Sequence, residues 1–244
     1  MDYFPLDGEE YLAGQDEPGL RLFLDSADPD DWRRFLPLGT FYGVTTNPLL
    51  LERSGQTCSL ANLERLTKLA VSLGASEIHL QTWGNTSEEM IHHGSQLALM
   101  AGLGIDVAVK VPATEMGFQV ARQLREAGCA LTITAVYNPG QVLLAAGFGA
   151  AYAAPYLGRI NDQGRDGRQA ILAMRDTLFH TQSSTRLLVA SLRSASDVLE
   201  LAQAGLDTLT FGSPVAADLI KENLTDLAAQ DFQRAAEAMS ERKD

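Results

Sequence analysis

A lysine interrupts a nearly continuous apolar run, Asp106-Val107-Ala108-Val109-Lys110-Val111-Pro112. Such a run reads as a strand of a parallel sheet covered on both faces. Burial disfavours the charged form of an amine, and a neutral lysine in a pocket is the nucleophile that Schiff-base chemistry on a carbonyl needs. The same segment also fits a lysine paired with a carboxylate, or one reaching out at the strand end. Three more polar residues close apolar runs: Asp25 after Leu22-Phe23-Leu24, Gln81 after Ile78-His79-Leu80, and Thr134 after Leu131-Thr132-Ile133. Tyr156 and Arg159 lie in Ala154-Pro155-Tyr156-Leu157-Gly158-Arg159, and Ser191 and Arg193 end the next apolar run. A guanidinium at the mouth of a pocket suits bidentate capture of a phosphate. Taken singly, each has a structural alternative. Asp25 fits a helix cap, Gln81 a core amide, Thr134 an ordinary strand threonine, Tyr156 packing, Ser191 a turn and Arg193 a solvated charge.

The elements that must carry these residues alternate along the chain. Candidate strands are Leu22–Asp25, Gly43–Thr46, Glu77–Gln81, Val107–Val111, Leu131–Ala135, Tyr152–Pro155, Leu187–Ser191 and Thr208–Phe211. Helical patterns lie between them, at Leu60–Leu73, Ser87–Leu103, Met116–Ala127, Gln141–Ala146, Arg168–His180 and Ala195–Ala204. Gly74, Gly128 and Gly205 suit helix C-termini, and Ser194 with Asp197 suits a helix start. Eight strands alternating with helices predict an α/β protein, a (β/α)8 TIM barrel, with a doubly wound open sheet as the alternative. A further helix, Leu224 to Met239, covers the barrel or reaches a neighbouring subunit. Residues 1–20 read as an irregular N-terminal extension, and 21–244 as one barrel domain that includes the last helix. Side chains alternate along a strand. If the apolar faces meet the helices, Asp25, Gln81, Lys110 and Thr134 all face the axis at the C-terminal strand ends, where barrels build active sites.

A formal charge of −12 argues against nucleic acid or an anionic membrane surface as partner. No apolar stretch reaches the roughly 18 residues of a membrane span. The acidic start lacks the features of a secretory signal, and two cysteines, Cys58 and Cys129, are too few for a disulfide framework. A cytoplasmic setting is expected, with Cys129 in a buried strand. His92 and His93 are adjacent and point apart, so no metal site is expected, and Gly147-Phe148-Gly149 lacks the rest of a dinucleotide fingerprint. Gly164-Arg165-Asp166-Gly167 reads as a mobile loop near Arg159.

Four segments, in order, resemble the transaldolase and fructose-6-phosphate aldolase family. They are Gly43-Val44-Thr45-Thr46-Asn47-Pro48, Val109-Lys110-Val111-Pro112-Ala113-Thr114, Ala135-Val136-Tyr137, and Ala154-Pro155-Tyr156-Leu157-Gly158-Arg159. The resemblance runs from about Leu22 to Phe232. It implies a (β/α)8 barrel and a class I aldolase with no metal or other cofactor, working through a Schiff base on Lys110. It implies that Asp25 and Asn47 contact substrate hydroxyls, that Arg159, Ser191 and Arg193 bind phosphate, and that the partner is a small sugar or sugar phosphate. It also implies a homo-oligomer. Gln81 and Tyr156 resemble the aldolase branch, in which tyrosine is the acid/base and glutamine and threonine hold a water. Transaldolases usually carry glutamate and phenylalanine at these places. Thr132 stands where transaldolases commonly have asparagine, the N-terminal extension is longer than in compact members, and Gly158 is closer to the transaldolase form. The expected activity is cleavage or formation of a ketose such as fructose 6-phosphate from dihydroxyacetone and glyceraldehyde 3-phosphate. The alternatives are transfer of a dihydroxyacetone unit and a non-catalytic sugar-phosphate-binding barrel.

Overall fold

The computed structural model describes residues 19–240. The expected irregular extension therefore lies, but for its last two residues, outside the described part. Nine strand segments form one all-parallel sheet: β1 (Arg21–Asp25), β2 (Gly43–Thr45), β3 (Glu77–Gln81), β4 (Asp106–Pro112), β5 (Ala130–Val136), β6 (Tyr152–Pro155), β7 (Arg186–Leu187), β8 (Val189–Leu192) and β9 (Thr208–Phe211). Their order is β7-β6-β5-β4-β3-β2-β1-β9-β8. The two ends of that order are separated in the chain only by Leu188, whose N–H donates to Ala153 at 2.9 Å. The sheet thus closes on itself. β7 and β8 are halves of the expected seventh strand, so the eight staves of a (β/α)8 barrel appear as nine segments.

Period-two alternation sorts the side chains as expected. Val44, Ile78, Leu80, Val109, Ile133 and Leu209 pack outward with helix residues such as Leu66, Leu97, Val120 and Ile171. Each such burial is worth about 1.5–3 kcal/mol. The inner face holds Phe23, Ala108, Tyr152, Ala154 and Leu188. Alternation puts buried Thr45, His79, Lys110, Thr132 and Thr134 on that inner side too.

Polar caps start most of the helices. Asn47, Ser59, Thr86, Thr114, Asn138 and Ser194 each accept a backbone N–H three residues on. Ser194 and Asp197 form the expected capping box. Gly74, Gly128 and Gly205 leave their helices at φ of 86°, 84° and 82°, a region closed to most side chains.

Several expectations change. The helix predicted over Ser87–Leu103 is α-helical only to Ala98, then tightens to a 3-10 turn over Leu99–Leu103. Gly102, a weak helix former, lies in that turn. Cys129 sits half-buried in the turn before β5, not in a buried strand. Gly167 begins a helix, Gly167–His180, so the loop near Arg159 is shorter than its glycines suggested. The last helix, Asn223–Ser240, does not bury its apolar side on the barrel: Leu224, Leu227 and Phe232 are all exposed. Among the described residues no helix is long and apolar enough to cross a membrane.

Candidate active site

A cavity of about 400 Å³ opens where the strands end, with Lys110 among the residues that line it. Lys110 is 4% exposed. Its Nζ donates to the carbonyl of Thr46 at 3.0 Å, and among the described residues no carboxylate pairs with it. Neither structural alternative, an ion pair or a head group reaching solvent, describes it.

Asp25 lines the same cavity. Its Oδ1 accepts from Thr45 Oγ1 at 2.7 Å, and Thr45 Oγ1 lies 2.6 Å from Thr210 Oγ1, so three strands fix this carboxylate. It does not cap the helix Pro29–Phe35; Asp28 does. Asn47 serves two ends. Its Oδ1 accepts from the N–H of Leu50 at 3.0 Å, holding the helix Pro48–Arg53, which leaves Nδ2 as the donor for the cavity it lines.

Gln81 and Thr134 do not line the cavity wall but flank it. Gln81 pairs in register with Lys110, and among the described residues its amide makes no hydrogen bond. Thr134 Oγ1 lies 2.9 Å from the hydroxyl of Tyr156. Tyr156 packs edge-on against Tyr137, and the guanidinium of Arg159 sits 5.0 Å from its ring centre.

Arg159, Ser191 and Arg193 line the opposite side. Arg193 makes a fork-to-fork pair with Asp162, with Nη1 to Oδ1 at 2.7 Å. The hydrogen bonds from Arg193 hold the Asp162 carboxyl below the usual range, and Asp162 in turn raises Arg193. Gly158 makes room for this arrangement. A Cβ there would lie 2.6 Å from Arg193 Nε and 2.6 Å from the Ser191 carbonyl. Gly158→Ala is therefore expected to cost about 1–3 kcal/mol by overpacking. It should also displace Arg193 from its pair with Asp162; thermal melts of variant and parent read the loss.

Two non-glycine residues near these strand ends have positive φ, Ala135 at 56° and Ser191 at 60°. Register shifts accompany both, between Ile133 and Val136 and between Val189 and Leu192. Such positions cost about 1–3 kcal/mol each, and bulges re-aim side chains at the strand ends beside the cavity.

Two charged cavity residues were not among the candidates that the sequence offered. Arg53 ends the helix Pro48–Arg53, and among the described residues its guanidinium has no partner. Asp162 lies three residues after Arg159 on the helix Leu157–Asp162. Both helices have 6 residues, too few for a hydrophobic period to show them. The histidine pair stays out of the site: His93 stacks on Trp83 at 4.1 Å and contacts its carbonyl.

Residues 22–244 match the family described as Transaldolase/Fructose-6-phosphate aldolase. The chain belongs to this family. It is 32% identical over 223 residues to a probable transaldolase of Aquifex aeolicus (strain VF5), covering 91% of this chain and 99% of that relative. It is 33% identical over 213 residues to a probable transaldolase of Oceanobacillus iheyensis, covering 87% and 96%. Among solved structures, a flavocytochrome b2 variant with pyruvate bound shares the fold at TM-score 0.57 and 15% identity, over 80% of this chain and 57% of that one. At that identity the likeness speaks for the barrel alone. The family is one of enzymes, and it supports a sugar-phosphate substrate.

Proposed function

We propose that the protein is a class I aldolase that makes or breaks a carbon–carbon bond of a ketose through Lys110. The observation that carries this reading is the buried amine of Lys110, with no carboxylate partner among the described residues, beside a cavity whose rim holds arginines. In the cleavage direction Nζ adds to the ketone carbon of fructose 6-phosphate, and loss of water leaves an iminium. As the bond between C3 and C4 breaks, its electron pair moves into the iminium to form an enamine. The C4 hydroxyl proton passes to Tyr156 through a water held by Gln81 and Thr134. Glyceraldehyde 3-phosphate leaves, C3 takes a proton, and hydrolysis frees dihydroxyacetone and Lys110. Asp25 and the Nδ2 of Asn47 hold the ketose hydroxyls. Arg159, Ser191 and Arg193 hold the phosphate, which orients the chain without joining in bond making.

The names of the relatives favour a second reading more directly than the first: transfer of the dihydroxyacetone unit from Lys110 to an aldehyde phosphate acceptor. Gln81 and the Tyr156–Thr134 contact favour release. Fructose 6-phosphate supplied alone separates them. Release predicts free dihydroxyacetone at the same rate with or without erythrose 4-phosphate. Turnover that requires the acceptor establishes transfer.

Arg53 adds a cation to the same rim, and we infer that it also serves the phosphate. Arg53→Gln is expected to raise KM for a phosphorylated aldehyde about tenfold, the worth of one charge-assisted hydrogen bond. KM for the unphosphorylated aldehyde should not change; paired saturation curves check this.

A further inference from the structure

Beneath Lys110 the barrel holds polar groups that the proposed reaction does not use. His79 is fully buried, and its register partner on β4 is Ala108, while Gln81, on the same face of β3, pairs with Lys110. His79 thus lies one layer below the nucleophile. Its Nδ1 is 2.8 Å from Thr132 Oγ1, and Thr132 is the register partner of Lys110 on β5. Thr132 therefore belongs to the layer of the lysine while its hydroxyl contacts that of His79; the hydrogen bond of Lys110 Nζ goes to the Thr46 carbonyl.

On its other side, His79 Nε2 lies 2.9 Å from Glu77 Oε1, a close contact without full hydrogen-bond alignment. Glu77 Oε2 accepts from the Tyr152 hydroxyl at 2.9 Å, and Arg21 Nη1 is 3.4 Å away. Phe23 and Tyr152 hold the imidazole edge-on, at 4.8 Å and 4.7 Å between ring centres.

These contacts assign the tautomer. A carboxylate only accepts, so Nε2 carries the proton, Nδ1 accepts, and the Thr132 hydroxyl donates to it. With its hydrogen committed downward, Thr132 Oγ1 offers only lone pairs to the layer of Lys110. Burial keeps the imidazole below its ordinary pKa; the charges of Lys110 and Arg21 act in the same direction, and Glu77 opposes them. Burial pushes the Glu77 carboxyl up, but His79, Tyr152 and Arg21 bring it below the usual range. Both directions agree with a neutral imidazole against an ionised carboxylate.

We propose that His79 is a positioning residue for Lys110: oriented by Glu77 and the surrounding rings, it fixes Thr132 as an acceptor beside the lysine and so steadies the amine for attack on the ketone. This rests on the reading of Lys110 as the nucleophile. The test is the rate of borohydride-trapped adduct formation in the full chain, followed by mass spectrometry against fructose 6-phosphate concentration. Thr132→Val keeps the shape and removes the hydroxyl; His79→Leu removes the ring nitrogens. Each is expected to slow saturating capture about tenfold, the scale of one hydrogen bond, with the half-saturating ketose concentration unchanged. The double variant should be no slower than the slower single one, because both break the same link. Thr132→Ser, which restores the hydroxyl, should capture at the parent rate. Capture by Thr132→Val equal to that of Thr132→Ser, or multiplying losses in the double variant, overturns the proposal. A captured parent with unchanged variants overturns this proposal alone, whereas a parent that gives no adduct overturns the Lys110 reading with it.

Discussion

Lys110→Met is expected to bring turnover to the background rate and, at the same time, to raise the melting temperature. The amine is the only group at this position that can form an iminium, so nothing replaces its chemistry. The stability gain follows from burial. Lys110 is 4% exposed and gives its hydrogen bond to a backbone carbonyl, with no carboxylate partner among the described residues. Burying a polar head group with so little compensation costs about 1–3 kcal/mol on the scale of protein mutations. Methionine fills similar space without that cost. For a chain of this size each kcal/mol moves the melting temperature by about 2–4 °C. A melt beside a coupled assay for aldehyde release reads both effects. A variant that is inactive and less stable would point to a structural lysine.

Tyr156→Phe has the second largest expected effect. The ring keeps its edge contact with Tyr137 and its place under Arg159, so only the hydroxyl and its 2.9 Å contact with Thr134 are lost. Removal of a general acid–base group typically costs about a hundredfold to ten-thousandfold. The loss should fall on kcat for release of free dihydroxyacetone, while the borohydride adduct on Lys110 still forms. Transfer to an acceptor aldehyde should suffer less than release. Release at the parent rate would remove Tyr156 from the proton path and strengthen the transfer reading.

The barrel was legible because period-two alternation is strong in strands buried on both faces. Val107, Val109 and Val111 on one side, against Ala108 and Lys110 on the other, already say which way the lysine points. Arg159, Ser191 and Arg193 stood out by their places after strands, the resemblance added Asn47, and seven of the nine residues so chosen line one cavity. What was not legible depended on geometry finer than a period. The seventh stave breaks at Leu188, an apolar residue like its neighbours, and Ser191 takes a positive φ; nothing in the local sequence announces either. Arg53 was missed because its helix is shorter than two full turns. The sequence showed His79 sharing a face with Gln81. It could not show that Thr132 stands beside Lys110, since the pairing of β4 with β5 is set by stagger around the closed barrel. The last helix carries Leu224, Leu227 and Phe232, but periodicity does not say what covers an apolar face.

The chemistry assigned to Lys110 is easy to examine because the chain holds four lysines. Lys68 is exposed and paired with Glu64, and Lys221 is exposed at a helix end. Borohydride reduction in the presence of dihydroxyacetone, followed by intact mass and peptide mapping, is the most direct measurement. The expected result is a gain of one reduced three-carbon unit per chain, confined to the peptide that contains Lys110 and absent in Lys110→Met. No mass gain, or a gain carried by another lysine, would contradict it.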